Sequence, residues 1–249
     1  EICACLVGSE MCIRDRAGPR LFNIFASMKG KRVDIYRVPG VGQIKRNDIL
    51  VFNYPHPYSW ERIEMHIMQY YIKRCLGLPG DSIRIEQGFY RNNHTKEPLG
   101  NVESQANLSR QKADRMPDGV YRCFPFDSTF NWNVHDFGPL YIPRKGDRIT
   151  VNQTNYKLYK QMIEWESKDS LSWKDSKVYI GDKQVRQYQF QSNYYFVAGD
   201  KTENSRDSRY LGLIPEEFIV GVAWKVWKSV DPYTGEYRKG RFWKNIRNN

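Results

Sequence analysis

The 249-residue chain has no run of about 18 consecutive apolar residues, so nothing in it reads as a helix that crosses a bilayer. Cysteine is also scarce. Of the five, Cys3, Cys5 and Cys12 fall in the first sixteen residues, which leaves only Cys75 and Cys123 beyond them. Two cysteines are too few for a disulfide framework or a four-cysteine metal site, and spacing leaves open whether they pair. The four histidines, at positions 56, 66, 94 and 135, lack zinc-type spacing, so the sequence implies no metal and no cofactor. No helix-turn-helix, zinc-finger or RNP pattern occurs, and nucleic-acid binding is left with charge alone for support. Internal repeats and low-complexity tracts are missing too.

What is present describes a folded, basic protein. Hydrophobic residues make up 40% and aromatics 14%, with 17 Tyr and 7 Trp, more than a disordered chain carries. The length suffices for one large domain or two small ones with a real core. A formal charge of +11 calls for an anionic neighbour, and without nucleic-acid motifs that neighbour is an acidic membrane surface.

The first sixteen residues stand apart from the rest. They show neither strand nor helix periodicity and are too polar for the apolar region of a signal peptide. Residues 6–15, LVGSEMCIRD, resemble one reading frame of a transposon-end sequencing adapter. The expectation is that residues 1–16 are a non-native segment standing in place of the true N-terminus.

Further along, the pattern is of short strands. Residues 48–54 are β-rich and end at Pro55, residues 70–78 are β-prone and close on the turn Pro79-Gly80-Asp81, and residues 82–86 alternate cleanly. Residues 61–71 are compatible with a short helix. Residues 91–118 are polar and read as a long loop. Strands resume at 139–151, and residues 156–168 place apolar side chains at 156, 158, 159, 162, 163 and 165, an amphipathic helix. Residues 177–180, 194–198 and 218–227 read as further strands.

Two segments carry the chemistry. Residues 71–81 read YIKRCLGLPGD and residues 199–215 read GDKTENSRDSRYLGLIP. They resemble the lysine box and the GDN-x-x-NS-x-DSRY-x-G-x-x-P box of bacterial type I signal peptidases, in the family's order. Residues 45–52, KRNDILVF, resemble the strand that precedes the lysine box. The resemblance covers residues 17–249, and the insert around FGPLYIP at 137–143 resembles the Bacteroidetes branch.

The resemblance implies a mainly β fold: an antiparallel signal-peptidase/LexA-like catalytic core with an inserted smaller α+β subdomain. Residues 17–90 and 190–249 would form the core and 91–189 the insert. It also implies a serine–lysine mechanism. A lysine acts as a general base only when neutral, and burial achieves that because desolvation disfavours the ammonium. Lys73 lies among Ile72, Cys75, Leu76 and Leu78, apolar company for such a group. A strand-edge lysine with its head in water is the plainer alternative on spacing alone. By resemblance Ser205 orients the Lys73 amine, Asp207 and Arg209 brace the loop, and Gly199 and Asp200 support it. Tyr71, Ile72 and Arg74 are candidates for the edge on which substrate adds as a strand.

The sequence also departs from the family. Lys201-Thr202 stands where the family commonly has Asn-Arg, and Leu211 stands where it often has Trp. No Pro-Thr-Leu follows any serine, so the S-M-x-P-T-L segment that bears the family's nucleophile is not found. Ser27-Met28 is the only near match, but Lys29-Gly30 follow it, and Ser27 reads as a loop serine. The expectation is a protein that lacks its nucleophile and is inactive as it stands.

The implied function is removal of signal peptides from exported preproteins at the outer face of the bacterial cytoplasmic membrane, with the anchor outside this sequence. Two rivals differ in kind. A LexA-like self-cleaving domain shares the serine–lysine logic, but the long insert and the lack of a DNA-binding domain argue against it. A basic non-catalytic module for membrane or nucleic acid predicts salt-sensitive binding and leaves both boxes unexplained.

Overall fold

The computed structural model describes residues 2–6, 42–65, 69–231, 233–238, 240–241 and 243–246, with 2–6, 227 and 228 in backbone only. In chain order the elements begin with β1 (Ile2–Leu6), β2 (Ile49–Asn53), β3 (Tyr70–Gly77), β4 (Ser82–Glu86) and β5 (Phe89–Asn92). Next come α1 (Val102–Ser109), α2 (Asp118–Tyr121), β6 (Phe137–Tyr141), β7 (Arg148–Thr150) and α3 (Gln153–Ser167). β8 (Leu171–Lys174), β9 (Lys177–Ile180), β10 (Lys183–Val185), β11 (Gln187–Gln189) and β12 (Tyr194–Ala198) follow. The chain closes with α4 (Ser208–Leu211), β13 (Ile214–Pro215), β14 (Ile219–Ser229) and β15 (Lys244–Asn245).

The largest sheet has seven strands in the order β1-β14-β2-β3-β12-β13, with β15 beside β14, and every pairing in it is antiparallel. The fold is therefore mainly antiparallel β with a smaller helical insertion, as the sequence predicts. Alternation along β2 decides which way the sheet faces. Leu50 and Phe52 are fully buried in the main core, whereas Val51 joins Ala223 in a small cluster on the other side. In β3, Leu50 pairs with Lys73 and Phe52 with Tyr71, so Lys73 and Tyr71 project on the main-core side.

A three-stranded sheet, β5-β4-β6, joins residues 82–92 to residues 137–141. It crosses the expected boundary at residue 90, and Phe137 packs on Phe196 of β12 with ring centroids 5.8 Å apart. α3 buries Leu158, Tyr159, Met162 and Ile163, the apolar face read from the sequence.

Three local expectations need correction. Residues 91–118 are not all loop, because α1 lies within them. Asn101 caps α1 by accepting from the Ser104 N–H at 3.1 Å, and the buried face is Ser104, Gln105 and Leu108. Two of those three are polar, which hides the helix from an apolar-period reading. Residues 61–65 are a turn end, a bend and irregular chain rather than a helix, and β3 begins at Tyr70. Residues 2–6, read as lacking strand periodicity, pair along β14 as an edge strand, where backbone hydrogen bonds suffice without alternation.

Candidate active site

The site forms where β3 leaves its partner β12. β12 pairs with β3 through Phe196 with Gly77, Val197 with Cys75 and Ala198 with Arg74, and the chain then departs at Gly199. Lys73 sits just beyond that point, half-buried on the main-core side. Burial pushes the Lys73 amine below the ordinary lysine value; Asp207 opposes the shift, Arg209 adds to it and Asp200 opposes it. Its Nζ donates to Ser205 Oγ at 3.0 Å and lies 5.8 Å from the Tyr71 ring centroid.

The loop that delivers Ser205 is held by a buried ion pair. Asp207 and Arg209 are both 0% exposed. Arg209 Nε and Nη2 donate to the two Asp207 oxygens at 2.8 and 2.9 Å, a bidentate arrangement that fixes orientation as well as distance. Arg209 also donates to the Thr202 carbonyl at 2.8 Å and the Ser205 carbonyl at 3.4 Å, so one guanidinium holds both arms of the loop. Asp207 Oδ2 accepts from the Gly199 N–H at 3.0 Å. Burial alone pushes the Asp207 carboxyl up, but the Arg209 charge and the surrounding hydrogen bonds outweigh it, and Asp207 titrates below the ordinary aspartate range. Ser208 Oγ accepts from the Val197 N–H at 2.9 Å, pinning α4 to β12.

Asp200, next to Gly199, makes a second bidentate pair with Arg74 at 2.7 and 2.6 Å. Arg74 also donates to the Asn47 carbonyl at 2.9 Å. Its guanidinium is thus already engaged, and its backbone lies between Ile49 of β2 and Ala198 of β12. Ile72 is exposed and Tyr71 half-buried. Among the described residues no strand pairs with the edge of residues 70–73 opposite β2. Ser27 lies outside the described residues. Cys75 and Cys123 are both buried free thiols, and burial pushes Cys123 up to about 12.

Other residues around the site escape sequence reasoning. His56 is buried, with Nδ1 3.0 Å from the Arg62 carbonyl and Nε2 3.0 Å from the Leu211 carbonyl, and so ties the segment after β2 to α4. Tyr54 stacks on Tyr71 with centroids 4.7 Å apart. Ser104 of α1 touches the Ser205 loop at Thr202 and Glu203. No spacing rule links residues 98 or 155 positions apart, so only the fold brings these together.

A family model described as signal peptidase, peptidase S26, matches residues 23–227. Signal peptidase I of Buchnera aphidicola from Acyrthosiphon pisum is 29% identical over 78% of this chain and 57% of its own length. Signal peptidase I of Pseudomonas aeruginosa is 27% identical over 78% of this chain and 52% of its own. The chain thus spans a little over half the length of these curated relatives. A solved signal peptidase I from Enterococcus faecalis covers 74% of this chain and 98% of its own at 16% identity, with a TM-score of 0.35. With the match spanning most of the chain, from the segment before β2 into β14, this protein belongs to the signal peptidase, peptidase S26, family.

Proposed function

We propose that this protein takes part in endoproteolytic removal of signal peptides from exported preproteins, with Lys73 as general base of a serine–lysine pair. One observation carries the reading: the Lys73 amine, on the core side of the sheet and pushed down by burial, meets Ser205 Oγ at 3.0 Å. A neutral amine there takes a proton from an attacking serine hydroxyl and returns it to the leaving amine. Ser205 orients the amine, and Asp207 with Arg209 keeps Ser205 in place. The attacking serine lies outside the described residues.

The edge of residues 70–73, unpaired among the described residues, supports binding of substrate as an added extended strand. Shallow pockets beside such a strand select small residues at −3 and −1 of the cleavage site by excluding larger ones. The reaction takes place at the outer face of the cytoplasmic membrane, with the net charge of +11 favouring an anionic lipid surface. The resemblance of residues 137–143 to a Bacteroidetes-type insert is the support for that branch.

The test is cleavage of a peptide with an Ala-x-Ala site by the membrane-borne gene product. The proposal expects cleavage that Lys73→Ala reduces by about 10²–10⁴-fold. Cleavage indifferent to Lys73, or none from the folded gene product, would sink it.

A further inference from the structure

Resting on the reading of Lys73 as the base, we propose that Ser104 is a positioning residue for the peptidase reaction. Its hydroxyl caps the turn that carries Ser205, so the inserted helix α1 sets how Ser205 meets Lys73.

Residues 202–204 form a single 3-10 turn, with Ser205 as the extended residue that leaves it. No side chain of the turn's own N-cap, Lys201, closes it. A helical turn leaves its leading N–H groups without internal partners, and when such a group is buried it needs one from elsewhere. Thr202 is buried, and its N–H donates to Ser104 Oγ at 2.7 Å from a helix 98 positions earlier. The same hydroxyl has one proton to give, and it goes to the Glu203 carboxylate. Ser104 thus accepts from one residue of the turn and donates to the next.

From this cap an unbroken path reaches the amine. The Thr202 carbonyl accepts from Arg209, Arg209 grips Asp207 and the Ser205 carbonyl, and Ser205 Oγ accepts a hydrogen bond from the Lys73 amine. At the far end, α1 is itself fixed by polar contacts rather than by apolar bulk. Gln105 accepts from the Tyr90 N–H at 3.0 Å and donates to the Leu99 carbonyl at 2.7 Å, and Asn101 caps the helix. A helix that buries directional groups in this way fixes a position, as β-sheet hydrogen bonding does for Lys73 from the other side. Losing the cap frees residues 202–205, admits water beside Lys73 and weakens the desolvation that lowers its pKa.

The experiment reads the Lys73 amine directly in residues 1–249 and does not depend on turnover. Trace acetylation across a pH series from about 6 to about 11, followed by mass spectrometry, gives the titration of Lys73 from its rate of labelling, with exposed Lys145 as the loading standard. Ser104→Ala is expected to lower Lys73 labelling near neutral pH by about tenfold, which is one pKa unit toward the ordinary lysine value. Ser104→Thr, which keeps the hydroxyl, should retain the original titration. If Ser104→Ala fails to fold by circular dichroism, Asn101→Ala loosens α1 from its exposed end and should shift Lys73 in the same direction. A folded Ser104→Ala or Asn101→Ala protein in which Lys73 titrates as before overturns the inference and leaves the base assignment standing. A Lys73 that titrates as an ordinary lysine in the unsubstituted chain overturns the base assignment itself.

Discussion

Gly199 and Ser205 approach so closely that a β-carbon on residue 199 would lie 2.7 Å from Ser205 Cβ and 3.3 Å from Lys73 Nζ. Its nearest neighbour would be Ser205 Oγ, the atom that meets the amine. The absent side chain at 199 is what lets the two loops close. Gly199→Ala should therefore separate Ser205 from Lys73 and destabilise the protein by about 1–3 kcal/mol, the usual range for overpacking. Thermal unfolding measures the second effect. Cleavage of an Ala-x-Ala peptide, falling further than the stability loss explains, measures the first.

Asp207 and Arg209 pair through Nε and Nη2 where neither meets solvent. Removing one partner leaves a buried charge uncompensated, so Arg209→Met should cost about 3–5 kcal/mol by urea denaturation. The double substitution Asp207→Asn with Arg209→Met should cost less than the two single losses added together. Additive losses would mean that the pair is not coupled as its geometry implies.

Acid should unfold the protein partly through Asp81. This buried carboxylate accepts from Arg46 at 2.8 and 2.6 Å, from the Leu78 N–H at 2.9 Å and from Asn92 at 2.7 Å, with His94 Nδ1 at 2.9 Å. Burial alone would push its pKa up, but Arg46 and the other donors bring it down to about 2. A depressed carboxylate contributes stability that is complete above the unfolded value near 4 and is lost as pH falls toward about 2. At neutral pH the contribution is about 2–3 kcal/mol, so Asp81→Asn should lose that much and show a flatter acid limb between pH of about 4 and about 2. An unchanged acid limb in the variant would remove Asp81 as the cause.

Much of the scaffold is legible in the sequence because local rules agree there. β3 and β14 are apolar β-prone runs, and α3 shows its buried face at helical spacing. Lys73 and Ser205 are legible as members of two boxes, but their meeting across 132 positions depends on how β3 and β12 pair. α1 is not legible, because what it buries is mainly Ser104 and Gln105, whose burial is sustained by partners at 90, 99, 202 and 203. In the Asp81 cluster only Leu78 is within reach of a local turn; Arg46, Asn92 and His94, 35, 11 and 13 positions away, are brought in by the fold. Arg74 shows the same limit in reverse. Its place beside Lys73 reads as a substrate edge, and only the fold reveals Asp200 gripping its side chain.

The dependence of kcat/KM on pH tests the base assignment most directly. Only the neutral amine accepts a proton, so activity should rise with pH along a limb whose midpoint lies below the ordinary lysine value, because burial lowers Lys73. Measured on an Ala-x-Ala peptide with the gene product, that limb should vanish together with activity in Lys73→Ala. A Lys73→Ala protein that keeps both the activity and the limb would show that another group is the base.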